Sequence, residues 1–328
     1  MKKILASALL GLSAIAAMST GAFAQTVLKY AQGLSMNDNH QAVGVTAFQE
    51  ALDRLTEGRY KLELFPSSSL GGERAMAEGL QLGTIDLAQL TIGPLGNWVP
   101  EVDMLTLPFV FRDVQHARKV LAGPVGEELL SKFTADSFIG LAWTEDGGMR
   151  HLFNNVRAVR TPADAEGLKI RVQENKVQTL AFSALGMLPT PMAFPNMFSG
   201  IQQGVIDGGE LSLTTIRSNN FPQVAGHLSI TGHFYSAAMY LIAPSTWDKL
   251  SDADKDHFRE AARIGAEASY KYIDETFQSN IDKFRAEGME VVEDVDLAAF
   301  RDKVAPVYES DYNAMFGEEL IERIRATE

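Results

Sequence analysis

The chain has 328 residues, 46% of them hydrophobic, with 42 acidic against 29 basic side chains, a formal charge of -13 and no cysteine. An acidic surface without a basic block argues against nucleic acid and anionic membrane as partners. The absence of cysteine excludes disulfide frameworks, thiolate metal sites and cysteine nucleophiles, so stability must come from a core that a chain of this length can supply.

The first 24 residues, MKKILASALLGLSAIAAMSTGAFA, carry two lysines, an apolar stretch and the small-residue pattern Ala22-Phe23-Ala24. This predicts a secretory signal cleaved before Gln25, and hence an exported chain with no insertion in the membrane after its removal. Strand-like and helix-like runs then alternate: VLKYA, a helix over 39–56, YKLELF, a helix over about 72–82, and TIDLAQL. Such alternation indicates an α/β fold. In the first helix Ala42, Val45, Phe48, Leu52 and Leu55 form one apolar stripe, and Gly58 stops it. The loop PSSSLGGERA (66–75) has small residues that expose backbone N–H groups to an anion, but ordinary helix capping by Ser69 is the simpler explanation.

One pattern occurs twice. GLQLGTID (79–86) and GIQQGVID (200–207) share Gly-x-Gln-x-Gly-x-Ile-Asp. In each, a helix is expected to end at a glycine, Gly83 or Gly204, with a strand following. Two lobes of similar plan with a cleft between them would produce this. The stretch GLKIRVQENKV (167–177) alternates Leu168, Ile170 and Val172 with Lys169, Arg171 and Gln173, so Arg171 is expected to face away from the core, toward water or a cleft. Residues 251–288 contain no proline and would extend over ~50 Å at about 1.5 Å per residue. They are either two helices broken near Gly265 or one helix spanning both lobes.

Motifs of familiar catalysis are missing: no Gly-x-Ser-x-Gly, no His-Glu-x-x-His, no Walker-type loop and no Gly-x-Gly-x-x-Gly occurs. His227 and His233 lack a recognised metal-ligand spacing.

The stretches LTEGRYKLELFPSSSLGGE, MLTLPFVF, GMRHLFN, GLKIRVQE, PTPMAF, GIQQGVIDGGE, LSITGH and WDKL, taken in order, resemble the solute-binding proteins of tripartite ATP-independent periplasmic (TRAP) transporters. The resemblance covers essentially the whole exported chain. It implies a type II-like periplasmic binding protein fold: two α/β lobes of discontinuous segments, joined by crossing strands and a long helix. The expected division is 25–148 with 237–276 for the first lobe and 149–236 with 277–328 for the second. It also implies a periplasmic receptor that needs no cofactor, captures an organic acid and delivers it to membrane permease subunits.

By the same resemblance Arg171 pairs with the ligand carboxylate, Arg150 assists, and Phe194 packs on the ligand's carbon skeleton. Glu210 is expected to accept from ligand hydroxyls and to repel a second carboxylate, which favours a hydroxylated monoacid such as a sugar acid. Glu73, Gln173, His233 and Tyr235 are further candidates for the cleft. The chain departs from the family at Leu211, where an asparagine is common. A C4-dicarboxylate or keto-acid receptor, the ligand-capture subunit of a sensor, and an exported α/β hydrolase or isomerase are the rival readings.

Overall fold

The computed structural model describes residues 25–133 and 137–328, so the expected signal segment lies outside the described residues. The strands are β1 (Thr26–Ala31), β2 (Tyr60–Phe65), β3 (Leu87–Thr91), β4 (Ile139–Asn154), β5 (Lys169–Val172), β6 (Leu188–Pro191), β7 (Gly208–Leu211), β8 (His227–Ile242) and β9 (Glu290–Val292). They run in the order β2-β1-β3-β8-β4-β7-β5-β6, with β9 beside β8. At one end β1 lies parallel between β2 and β3; at the other β5 lies parallel between β6 and β7. The fold is therefore two α/β lobes of one plan.

The sequence repeat marks the same joint in each lobe. Gly83 and Gly204 both adopt positive φ, +68° and +73°. Ile85 N–H and Ile206 N–H donate to the carbonyls of Gly79 and Gly200. The final aspartates then fasten the third strand to the first: Asp86 Oδ2 accepts from Lys29 N–H and Asp207 Oδ2 from Lys169 N–H, each at 2.8 Å.

Helix α1 (His40–Leu55) starts where Asn39 Oδ1 accepts from Ala42 N–H, and it buries Ala42, Val45, Phe48 and Leu52, with Leu55 half-buried. Helix α2 (Glu73–Gln81) has Gly72 as its N-cap with no side-chain bond. The expected cap, Ser69, lies too far upstream. The chain turns first at Ser67 and Ser68 and again at Gly71, all at positive φ, which separates Ser69 from the helix start.

The antiparallel pair β4 and β8, 16 residues each, crosses between the lobes. Their register slips between Glu145 and Met149, where Gly147 and Gly148 sit at φ +87° and +83°. Glycine is needed at 147 twice over, since a Cβ there would also lie 2.0 Å from Ser212 Oγ. The third connection is the helix Asp252–Ala286, 35 residues without a break at Gly265. Its Phe258, Ala261 and Ala262 pack into the first lobe's core with Phe48 and Tyr240, and its Ile281 and Phe284 into the second lobe's core with Phe153 and Ile216.

Tyr308, Tyr312, Ile321 and Ile324 share a core with Leu105, Val120 and Leu121 of the first lobe, and Tyr312 Oη also donates to Val177 O at 2.8 Å, so the C-terminal stretch touches both ends of the molecule.

Candidate functional site

The carboxyl ends of the parallel strands of the two lobes face each other, the position where open α/β sheets hold ligands. Between them lies a cavity lined by residues of both lobes. The first lobe supplies Leu34, Ser68, Glu73 and Thr91 from the ends of β1, β2, α2 and β3, together with Gln41 from the first turn of α1. The second supplies Arg171 and Gln173 at the end of β5, Phe194 after β6 and Leu211 at the end of β7. Asp146 and Arg150, on either side of Gly147 and Gly148, come from β4.

Arg171 is 2% exposed, so the strand alternation that turned it from the core turned it into this wall. Its Nε donates to Met192 O at 2.7 Å. Its terminal nitrogens make no hydrogen bond, and no ion pair, among the described residues. Burial, and then the charge of Arg150, lower its pKa to about 10. A buried guanidinium with no carboxylate bound to its terminal nitrogens is the electrostatic condition that an anion relieves.

Arg150 is also in the cavity wall, but it is paired. Its Nε and Nη2 donate to the two carboxylate oxygens of Glu210, Nη2 donates also to the Glu210 carbonyl at 2.7 Å, and Nη1 to Ser236 Oγ at 3.0 Å. Burial alone would raise the Glu210 carboxyl; the Arg150 charge, helped by His233, holds it well below the usual carboxylate range.

Glu210 itself does not line the cavity. Successive strand residues point to opposite faces, and Leu211 faces the cavity, so Glu210 turns behind it. Glu210, expected among the ligand contacts, lies behind this wall and anchors Arg150. His233 and Tyr235 also lie outside the wall. His233 Nδ1 is 2.6 Å from Thr231 Oγ1, its Nε2 is 3.7 Å from Glu210, and its ring packs on Phe182 and Phe234. Tyr235 donates to Glu145 Oε2 at 2.6 Å and packs on Phe111. Both are core residues of the crossing strand. Arg171, Arg150, Phe194, Glu73 and Gln173 all line the one cavity.

Two carboxylates do line the cavity. Glu73 Oε1 accepts from Thr91 N–H at 2.7 Å and Oε2 from Thr91 Oγ1 at 2.8 Å. Burial raises its pKa against those bonds. Asp146 Oδ1 accepts from Gln41 Nε2 and lies equally close, 2.9 Å, to His40 Nε2. Burial would raise Asp146, but the His40 bond and charge, with Arg150 and Gln41, leave it below its ordinary value. Sequence reasoning missed Asp146, Gln41, Leu34 and Thr91. Asp146 stands beside Gly147-Gly148, a pair of glycines inside a strand, which is the one local signal that would have drawn attention to it.

Two similar lobes joined by three connections and meeting over a buried cavity define a periplasmic solute-binding protein. The sequence profile of the bacterial extracellular solute-binding protein family 7 (DctP) matches residues 34–314, and the chain belongs to that family. It is 42% identical over 307 residues to a solute-binding protein of Verminephrobacter eiseniae, covering 94% of this chain and 91% of that one. Among solved structures it is similar to a TRAP periplasmic solute-binding protein of a Polaromonas species bound to D-erythronate, at 45% identity and TM-score 0.90 over 93% of this chain and 99% of that one. A TRAP protein of Bordetella, with density interpreted as pantoate, is equally similar: 45%, TM-score 0.90, 93% and 100%. The chain is thus a transport receptor of the TRAP class and not an enzyme; it resides in the periplasm and delivers its solute to membrane permease subunits.

Proposed function

We propose that the receptor captures a small hydroxylated monocarboxylate of the sugar-acid kind, with its carboxylate on Arg171. The observation that carries this is the buried Arg171 guanidinium, whose terminal nitrogens are unpartnered in the cavity wall. Its planar fork matches the two oxygens of a carboxylate. Arg150, held in place by Glu210, adds positive potential on the same side, and Phe194 offers a ring to the carbon skeleton.

The case for a monoacid rests on Glu73 and Asp146 and not on Glu210. A second ligand carboxylate would meet their charges, whereas hydroxyls can donate to them. Erythronate and pantoate, the ligands of the two similar structures, are both short monocarboxylates bearing hydroxyls. Within this reading the first lobe comprises 25–148, 237–276 and the C-terminal stretch from 308, and the second comprises 149–236 and 277–307.

Calorimetric titration with D-erythronate, pantoate and succinate tests it. The two hydroxy acids should bind more tightly than succinate. Truncating one partner of a buried charge pair costs about 2 to 5 kcal/mol, so Arg171→Ala should weaken binding roughly 30-fold to several thousand-fold. Arg171→Lys should recover only part, because an ammonium lacks the fork. Wild-type protein that binds succinate best, or an Arg171→Ala variant that binds as wild type does, would overturn the proposal.

A further inference from the structure

The hydrogen-bond directions around the two cavity carboxylates are fixed by their neighbours. On the second lobe Gln178 Nε2 donates to Gln173 Oε1 at 2.8 Å, and Gln173 Nε2 donates across the cleft to Thr91 Oγ1 at 2.7 Å. The Thr91 hydroxyl has one hydrogen, and it goes to Glu73 Oε2; Thr91 N–H takes Oε1. Each bond of this relay points toward the first lobe, and the relay ends on a carboxylate that, when ionised, can only accept. An ionised carboxylate has about four acceptor positions, so Glu73 keeps some free at the cavity.

Asp146 arrives at the same condition by another route. Both protein donors, His40 and Gln41, converge on its Oδ1, and its Oδ2 forms no hydrogen bond among the described residues. The His40 contact lies on Oδ1, and Arg150, whose charge also favours the ionised carboxyl, is itself bound to Glu210, so Oδ2 stays open to a donor.

Resting on the acid-capture reading above, we infer that Glu73 and Asp146 are the specificity determinants of the site, each accepting one hydroxyl hydrogen of a ligand whose carboxylate sits on Arg171. The ligand class is then an acid with at least two hydroxyls. An aldehyde, ketone or ether oxygen in place of either hydroxyl brings a lone pair against a carboxylate. A hydroxyl has a hydrogen to give, so the site rejects keto and deoxy analogues of the same size.

The probes are D-erythronate and its 2-, 3- and 4-deoxy analogues, titrated calorimetrically into wild-type protein, Glu73→Gln and Asp146→Asn. Losing a hydrogen bond to a charged acceptor corresponds to about 10- to 100-fold in affinity. Wild type should bind at least two of the deoxy acids that much more weakly than D-erythronate. Glu73→Gln keeps one oxygen, which Thr91 N–H occupies, and turns N–H hydrogens toward the cavity. It should lose about 10- to 100-fold for D-erythronate yet bind one deoxy acid within about threefold of wild type. Asp146→Asn should do the same with a different deoxy acid.

Equal wild-type affinity for all four acids would overturn the inference with no variant needed, as would a variant that loses all four by one common factor. Neither result touches the capture of an acid by Arg171. That broader reading fails separately, if wild type binds none of the four, and this inference falls with it.

Discussion

Arg150 and Arg171 occupy one cavity wall and hold their charges by opposite means. Arg150 has Glu210 behind it, so its charge is a property of the fold. Arg171 has no such partner, so its charge awaits a ligand. Removing one member of a buried ion pair typically costs about 3 to 5 kcal/mol, because the other remains buried and unpaired. Glu210→Gln should therefore lower unfolding stability by about that amount, measured by urea denaturation, while leaving the ratio of affinities for D-erythronate and succinate unchanged. A variant of wild-type stability with an altered ratio would put Glu210 back in contact with the ligand. The sequence made Arg171 legible through its motif, and strand alternation correctly turned it from the core. Alternation could not say that Glu210, His233 and Tyr235 lie outside the cavity lining. It reports two faces, and here both faces of the sheet are covered, so polar residues occur on each.

At the scale of elements, repetition was the most informative feature. Two copies of one eight-residue pattern revealed two lobes because each copy specifies a complete joint: a left-handed glycine, a turn bond and an aspartate that ties neighbouring strands. The long helix was ambiguous for the opposite reason. A lone glycine marks either a break or a close approach, and only the partner decides which. The partner is Gly44 of α1. A Cβ on Gly265 would lie 2.8 Å from Gly44 O and 3.0 Å from Phe48 Cβ. Alanine is favoured over glycine inside a helix by about 1 kcal/mol, whereas forcing a methyl into a packed contact costs typically 1–3 kcal/mol. The backbone oxygen cannot rotate away, so the clash should win. Gly265→Ala should be less stable than wild type by roughly 1 kcal/mol in urea unfolding; a gain in stability would mean that the two helices separate freely at this crossing.

For the whole molecule, the contacts that hold the lobes together extend beyond the cavity. Asn175, on the second lobe, uses both amide hydrogens on the first: one reaches Asp103 Oδ1 at 2.7 Å and the other Gly93 O at 3.1 Å. Its own side-chain oxygen meanwhile caps the helix Lys176–Ala184 by accepting from Gln178 N–H. Burial pushes Asp103 from its ordinary 3.8 to about 7, against the Asn175 bond. The sign follows from which form holds the proton. An acid whose pKa is raised in the closed molecule takes up a proton as the lobes close, so closure is unhindered below about 4 and becomes harder as the pH rises toward about 7; above that, the closed form is ionised as well and the dependence flattens. Asp103 is half-buried, so water screens part of the effect. Between pH 5 and pH 7 wild-type affinity for D-erythronate should consequently fall about 3- to 10-fold relative to that of Asp103→Asn, which keeps an acceptor for Asn175 and has no charge to bury. The comparison must be a ratio, because Glu73 is shifted upward too and would contribute its own pH dependence to both proteins alike. A wild-type to Asp103→Asn ratio that stays constant from pH 5 to pH 7 would show that closing the lobes leaves the environment of Asp103 unchanged, and the Asn175 contact would then be a fixed joint and not a latch.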